Sequence, residues 1–203
     1  MIISRRDFLK ILLTPIAVNS SLGADNKTVQ IIPIKKKHTL DNKRKLRKTR
    51  KTKQHLYTLK MYNPNTNEVL VSRFYKNKKI PEKEIKKISY FLRDFRENKT
   101  KRIDQKLIFY LAEILEKSKK GKYIVVHSAY RTKKTNNFLK EHGYRTAKRS
   151  LHMKAKAIDF HISGYSSYKS YLITKRIKPG GLGYYKKQKF IHMDTGRRRF
   201  WFG

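Results

Sequence analysis

The sequence predicts an α+β domain: a small, mainly antiparallel sheet with helices packed against it. Three observations carry that prediction. LYTLKMY (56–62) and EVLVSRFY (68–75) alternate in character around the turn residues NPNTN (63–67). Two later segments repeat apolar residues at helical spacing. The last third returns to short β-rich runs, AIDFHI (157–162), PGGLGYY (179–185) and KFIHMD (189–194). A period of two marks a strand and a period of 3.6 a helix, and mixed runs of this kind read as α+β.

Taken in order, residues 56–75 form a hairpin, because the Asn/Pro-rich link supplies turn chemistry between two β-prone segments. Pro81 opens a helix running to about Glu97, with Ile85, Ile88, Phe91, Leu92 and Phe95 as its buried stripe. Asp104 caps a second helix over 105–118, with Leu107, Ile108, Leu111, Ile114 and Leu115 inward and Gly121 beyond its end. YIVVHS (123–128) is a buried strand, and TKKTNNFLKEHG (132–143) a short helix ending at glycine. The basic loop YRTAKRS (144–150) leads to SLHMKAKAIDF (150–160). A helix over 166–177 and a closing hairpin from 179–185 and 189–194 complete the domain.

The 203 residues contain no cysteine, which excludes thiolate metal sites, disulfides and cysteine nucleophiles. Lys and Arg number 52 against 14 Asp and Glu, a net charge of +38. Such a field attracts any polyanion, and charge alone does not choose among nucleic acid, anionic wall polymer and lipid headgroups.

Before the domain lie two further segments. Residues 1–24 have the layout of a secretory signal: SRRDFLK (4–10), the apolar run ILLTPIAV (11–18), then NSSLGA (19–24). Arg5 and Arg6 followed by Phe8 and Leu9 resemble the twin-arginine export signal. The apolar run falls short of the ~20 residues that span a bilayer; cleavage near Gly23 or Ala24 is one outcome and an uncleaved membrane anchor the other. Residues 25–54 include KKKHTLDNKRKLRKTRKTK (35–53), a block that cannot bury apolar area and is expected to be a disordered arm. It is either a tether to anionic envelope polymers or a solvated linker. The folded domain is expected over 55–203.

Strand alternation gathers polar side chains on one face. Asp159 and His161 point the same way, as do His192 and Asp194, while Phe160, Ile162, Ile191 and Met193 face the core. His152, on the loop before, can close over them. Two imidazoles and one carboxylate hold a zinc ion while leaving its fourth position open, as in hydrolytic sites. A His–Asp hydrogen-bond network satisfies the same residues, and the spacing H-x6-D does not decide between the two. His38, His55, His127 and His142 are poorer ligand candidates; His127 and His142 read as surface or cap residues. GGLGYY lacks the GK[ST] of a phosphate loop and reads as a turn into the last hairpin. Tyr165, Tyr168, Tyr171, Tyr184 and Tyr185 read as half-buried packing in preference to a sugar-stacking set. RRRFW (197–201) reads as a basic tail anchored on the core by Phe200 and Trp201.

S-x-H-x6-D-F-H, the preceding HSAYR (127–131) and the ending GGLGYY…FIHMDTG…W together resemble the zinc murein peptidases related to D-Ala-D-Ala metallopeptidases, and within them the twin-arginine-exported MepK (YcbK) type. The resemblance covers roughly residues 55–201. It implies the fold shared by D-Ala-D-Ala peptidases and hedgehog proteins, one Zn2+ per chain on His152, Asp159 and His192, and Arg131 binding or polarising the substrate near the scissile carbonyl. It implies that Ser150 hydrogen-bonds the substrate peptide. The reaction implied is hydrolysis of a peptide cross-link in peptidoglycan, meso-Dap–meso-Dap or D-Ala–meso-Dap, in the periplasm. The partners expected are peptidoglycan peptides, with no specific nucleic acid. Where many relatives carry a Glu three residues, or a His two residues, before the last ligand, this chain has Lys189 and Phe190, so the base falls to Asp194, as base or orienter, with His161 as its companion or as a transition-state donor. Ala155 and Ala129 stand where relatives commonly have Gly; each is strained if its backbone needs positive φ. Two other functions stay open on the residues: a non-catalytic polyanion- or wall-binding protein, and a zinc-holding relative without turnover.

Overall fold

The computed structural model describes residues 55–76, 79–144 and 146–203, and the backbone of Ile2 and Ile3. The export signal and the basic arm expected over 1–24 and 25–54 otherwise lie outside the described residues. The predicted hairpin forms as β1 (Leu56–Asn63) and β2 (Glu68–Tyr75), paired antiparallel along their whole length, with Asn67 at φ 54° in the turn. α1 (Glu82–Phe91) starts after Pro81 and stops at Leu92, short of the expected Glu97. Its helical pattern is interrupted by Asp94. That buried carboxylate accepts hydrogen bonds from the Arg96 amide at 3.1 Å and the Thr132 amide at 2.8 Å, and the backbones of Asp94 and Lys99 exchange hydrogen bonds. A side chain that captures local amides competes with the helix ladder and turns the chain.

α2 (Gln105–Lys117) is capped as predicted, Asp104 accepting from the Lys106 amide at 3.0 Å, and its inward stripe is fully buried. β3 (Ile124–Ser128) follows, then α3 (Lys133–Glu141), capped by Thr132. A 3-10 turn over Leu151–Lys154 leads into β4 (Ala157–Ile162), α4 (Ser167–Lys175), β5 (Gly181–Tyr185), β6 (Phe190–Asp194) and β7 (Arg199–Phe202).

The strands among the described residues join one eight-stranded sheet in the order Ile2–Ile3, β2, β1, β3, β4, β6, β5, β7. The sheet is mixed, which corrects the mainly antiparallel expectation. β1 and β3 are parallel because α1 and α2 carry the chain across between them, and β7 is parallel to β5 because it passes β6 before pairing. Both pairings are non-local and leave no hairpin signal in sequence. β7 itself corrects the expected basic tail: Phe200 is 39% exposed, and only Trp201 turns partly inward. Phe160, Ile162, Ile191 and Met193 are fully buried with the stripes of α1 and α2, so the opposite face of β4 and β6 carries the polar cluster. No helix among the described residues is long and apolar enough to cross a membrane.

Candidate metal centre

The ladder sets the site. Asp159 on β4 lies directly opposite His192 on β6, and His192 opposite Gly183 on β5. Side chains so paired share one face within contact distance. On the other flank Ser128 pairs with Asp159, after a register shift at His127. His152 arrives from the 3-10 turn, which Ser150 caps by accepting from the His152 amide at 3.3 Å. Ala155 ends that turn at φ 54° and ψ 36°, the left-handed conformation in which Gly is preferred. Ala129 is not among the positive-φ residues, so only one of the two alanines carries that strain.

Three atoms converge. His152 Nε2 is 3.3 Å from Asp159 Oδ1 and 3.2 Å from His192 Nδ1, and the latter two are 2.9 Å apart. Ligands at about 2.0–2.1 Å around a tetrahedral zinc ion are about 3.3–3.4 Å from one another. The triangle is thus close to one face of such a tetrahedron. Each imidazole is held with a lone pair turned inward: His152 Nδ1–H donates to the Ala129 carbonyl at 2.6 Å, and His192 Nε2–H donates to Asp194 Oδ2 at 3.1 Å. Outer partners of this kind fix tautomer and ring direction in metal sites. The donor set, nitrogen and oxygen without sulfur, fits a divalent cation of zinc type.

Charge is balanced around this point. Arg131 pairs its Nη2 with Asp159 Oδ2 and donates from Nε to Ser128 Oγ at 2.7 Å. Burial pushes the Asp159 carboxyl up, but His152, Arg131 and its close contacts with both imidazoles override it and hold it well below the ordinary range. Burial pushes His152 down. It opposes charge on His192 as well, yet the carboxylates of Asp159 and Asp194 beside the ring raise it.

Asp194 is not placed to act as base. Its Oδ1 accepts from the amides of Gly181 and Gly196, both at 2.8 Å, and its Oδ2 from His192 and from Arg199 Nη2 at 2.6 Å. It is fully buried and sits at the Nε2 side of His192, away from the converging atoms. Burial alone would raise its pKa; these donors depress it strongly instead. Its contact with the cluster is the one to His192 Nε2. His161 lies on the same strand face as Asp159, its Nδ1 2.8 Å from His127 Nε2. His127 is therefore a half-buried partner of His161 and not the surface or cap residue expected from its place at a strand end. Burial, reinforced by His127, lowers His161 to about 4, and burial lowers His127 too, so both rings are neutral at physiological pH.

The glycines of GGLGYY make room for this arrangement. A Cβ on Gly181 would lie 2.2 Å from Asp194 Oδ2, and one on Gly183 2.4 Å from the Trp201 indole. Trp201 packs across Gly183, its ring centre 5.3 Å from that of His192, and its Nε1–H donates to Tyr185 Oη at 3.0 Å. Trp201 and Arg199 belong to the site, and only the tryptophan of the closing motif hinted at it. A cleft lined by Asn63, Phe95, Arg96, His127, Ser128 and Arg131 adjoins the centre on its other flank.

Residues 49–201 match the family model described as "Peptidoglycan L,D-endopeptidase MepK". The chain belongs to the MepK family. "Peptidoglycan L,D-endopeptidase MepK" of Escherichia coli (strain K12) is 34% identical to it over 143 residues, 70% of this chain and 79% of the relative. "Probable peptidoglycan L,D-endopeptidase MepK" of Haemophilus influenzae is 36% identical over 143 residues, 70% and 76%. No solved structure matches the chain. The stretch in common with the MepK family spans the whole metal centre, from the His127–Arg131 segment to Trp201.

Proposed function

We propose that this chain is a zinc-dependent peptidoglycan endopeptidase that hydrolyses peptide cross-links during wall remodelling. One observation carries the reading: His152 Nε2, Asp159 Oδ1 and His192 Nδ1 form a triangle with sides of 2.9–3.3 Å, their lone pairs turned to a common point. Family membership supports the substrate class. His152, Asp159 and His192 would hold a zinc ion, which would supply Lewis acidity toward water and a carbonyl oxygen.

The chain's own residues do the rest. Asp194 and the Ala129 carbonyl fix the two imidazole tautomers. Ser150 acts through His152, by capping the turn that carries it. Arg131 steadies Asp159 and offers its cationic face to a substrate carbonyl or carboxylate, where a fixed positive charge stabilises developing negative charge. His161, neutral and backed by His127, is a hydrogen-bond partner beside the ligands. Trp201 walls the centre on one flank and excludes water there. The free carboxylates of murein peptides suit a chain of +38. The L,D designation of the relatives favours meso-Dap–meso-Dap over D-Ala–meso-Dap, because only the former joins an L to a D centre. Export by the signal at Arg5 and Arg6 would put the domain in the periplasm, with residues 35–53 in electrostatic contact with anionic envelope polymers; Arg5→Lys with Arg6→Lys should block that export.

The test is digestion of purified muropeptide dimers of each cross-link, with and without chelator. The expected result is conversion of meso-Dap–meso-Dap dimers to monomers, lost with chelator and restored by added zinc. Intact dimers under all conditions, with zinc bound, would point instead to a wall-binding relative.

A further inference from the structure

The face of the sheet opposite the metal centre carries a cluster that the peptidase reading leaves unused. Alternation along β7 sends Arg199 and Trp201 to the metal face and Phe200 and Phe202 to the other. Phe202 is 70% exposed, Phe200 39% and Tyr168, on α4, 50%. Phe202 and Tyr168 are continuous through Tyr171 and Tyr184: Phe202 lies 5.7 Å from Tyr171 and 6.1 Å from Tyr184, and Tyr168 lies 5.6 Å from Tyr184, centre to centre; Lys175 Nζ, 6.0 Å from the Tyr171 ring, also faces Phe200. Cations rim the cluster. Lys175 Nζ sits 5.7 Å from the Phe200 ring centre and Arg198 5.6 Å from it.

The charge here has one sign. Between Asp159 and Asp194, and after Asp194, the sequence contains no Asp or Glu, so α4, β5 and β7 carry no acid at all. α4 and β7 also lack Asn and Gln. A sugar site needs such acids and amides to bond neighbouring hydroxyls, so stacked aromatics without them suit a glycan poorly. Exposed aromatic rings within a Lys/Arg rim are the composition of a surface that enters the headgroup region of a bilayer, apolar rings in the acyl boundary and cations on lipid phosphates.

We propose that Phe200, Phe202 and Tyr168, with Lys175 and Arg198, dock this domain on an anionic phospholipid surface. The metal centre, on the far face of the sheet, then opens away from the lipid. The proposal does not depend on the peptidase reading.

Because a chain of +38 meets anionic vesicles through any basic segment, the experiment must report which face makes contact. The full chain carries a single tryptophan, Trp201. Its fluorescence is compared with that of the double variant Trp201→Phe, Phe202→Trp, which moves the indole to the other face of the same strand. Both are mixed with phosphatidylglycerol vesicles bearing brominated acyl chains. The proposal expects strong quenching in the double variant and little in the native chain. In parallel, Phe200→Ser with Phe202→Ser, which preserves every charge, should weaken vesicle binding by about tenfold or more at physiological salt and leave hydrolysis of soluble muropeptides unchanged. Equal quenching of both indoles, no quenching of either, or unchanged affinity of the serine variant would overturn it. So would a concentration-dependent dimer, lost in the serine variant, that accounts for burial of the rings.

Discussion

Asp194→Asn should weaken metal binding, and the structure says why. Oδ1 receives two backbone amides, from Gly181 and Gly196. Oδ2 receives His192 Nε2–H at 3.1 Å and Arg199 Nη2 at 2.6 Å. An asparagine must keep its oxygen on the two amides, which turns its NH2 group onto two other donors. Arg199 can withdraw, since its side chain is 41% exposed. His192 cannot, and its remedy is to move its proton from Nε2 to Nδ1, where it closes one corner of the ligand triangle. Loss of such outer support costs about 10–100-fold in metal affinity, or about 1.4–2.7 kcal/mol. The metal-free variant should also lose about 1–3 kcal/mol of stability from the mismatched buried donors. Zinc competition against a chromophoric chelator measures the first quantity, and NMR of the His192 ring identifies the tautomer. Wild-type zinc affinity with the Nε2 proton in place would refute the assignment of Asp194 as the residue that orients His192.

Other changes probe separate features. His192→Ala removes one of three ligands and should abolish stoichiometric zinc, read by metal analysis of the purified chain. Gly183→Ala places a Cβ 2.4 Å from the Trp201 indole; it should lift Trp201 from the sheet, red-shift its fluorescence and cost about 1–3 kcal/mol in a urea melt. Ala155→Val puts a β-branched residue at φ 54° in a fully buried position and should cost more than about 2 kcal/mol in the same assay, whereas Ala155→Gly should be close to neutral because relief of strain offsets the lost methyl. Asp94 gives a pH signature. Burial would raise its carboxyl, but bonds from Thr135, Thr132 and Arg96 depress it below the ordinary 3.8. Its stabilisation is therefore present above pH 3.8 and lost as pH falls through the lower folded value. The stability gap between the native chain and Asp94→Asn should be full at pH 6 and shrink below pH 4; a gap that widens in acid would contradict it.

What the sequence disclosed and what it hid follow from how far each determinant reaches along the chain. Asp104, Thr132 and Pro81 act on the next few residues, so the helix starts were legible. Alternation over 157–162 and 189–194 correctly placed Asp159 and His192 on one face. His127 was misjudged because a register shift between Val126 and Ser128 breaks that alternation, bringing Ser128 opposite Asp159 and His127 against His161. Asp194 shares a face with His192, but which side of the ring it serves depends on the amides of Gly181 and Gly196, fixed by pairing and not by spacing. β7 was hidden because its partner is parallel and its acceptor strand is rich in glycine, which reads as turn. Those glycines are spaces for Asp194, Arg199 and Trp201, visible only once the strands are side by side.

The most direct measurement is anomalous scattering at the zinc edge from crystals of the zinc-loaded domain. The account predicts one peak per chain, about 2.0–2.2 Å from His152 Nε2, Asp159 Oδ1 and His192 Nδ1. A peak bound through His192 Nε2, one lying elsewhere on the chain, or none at all in zinc-loaded crystals would contradict it.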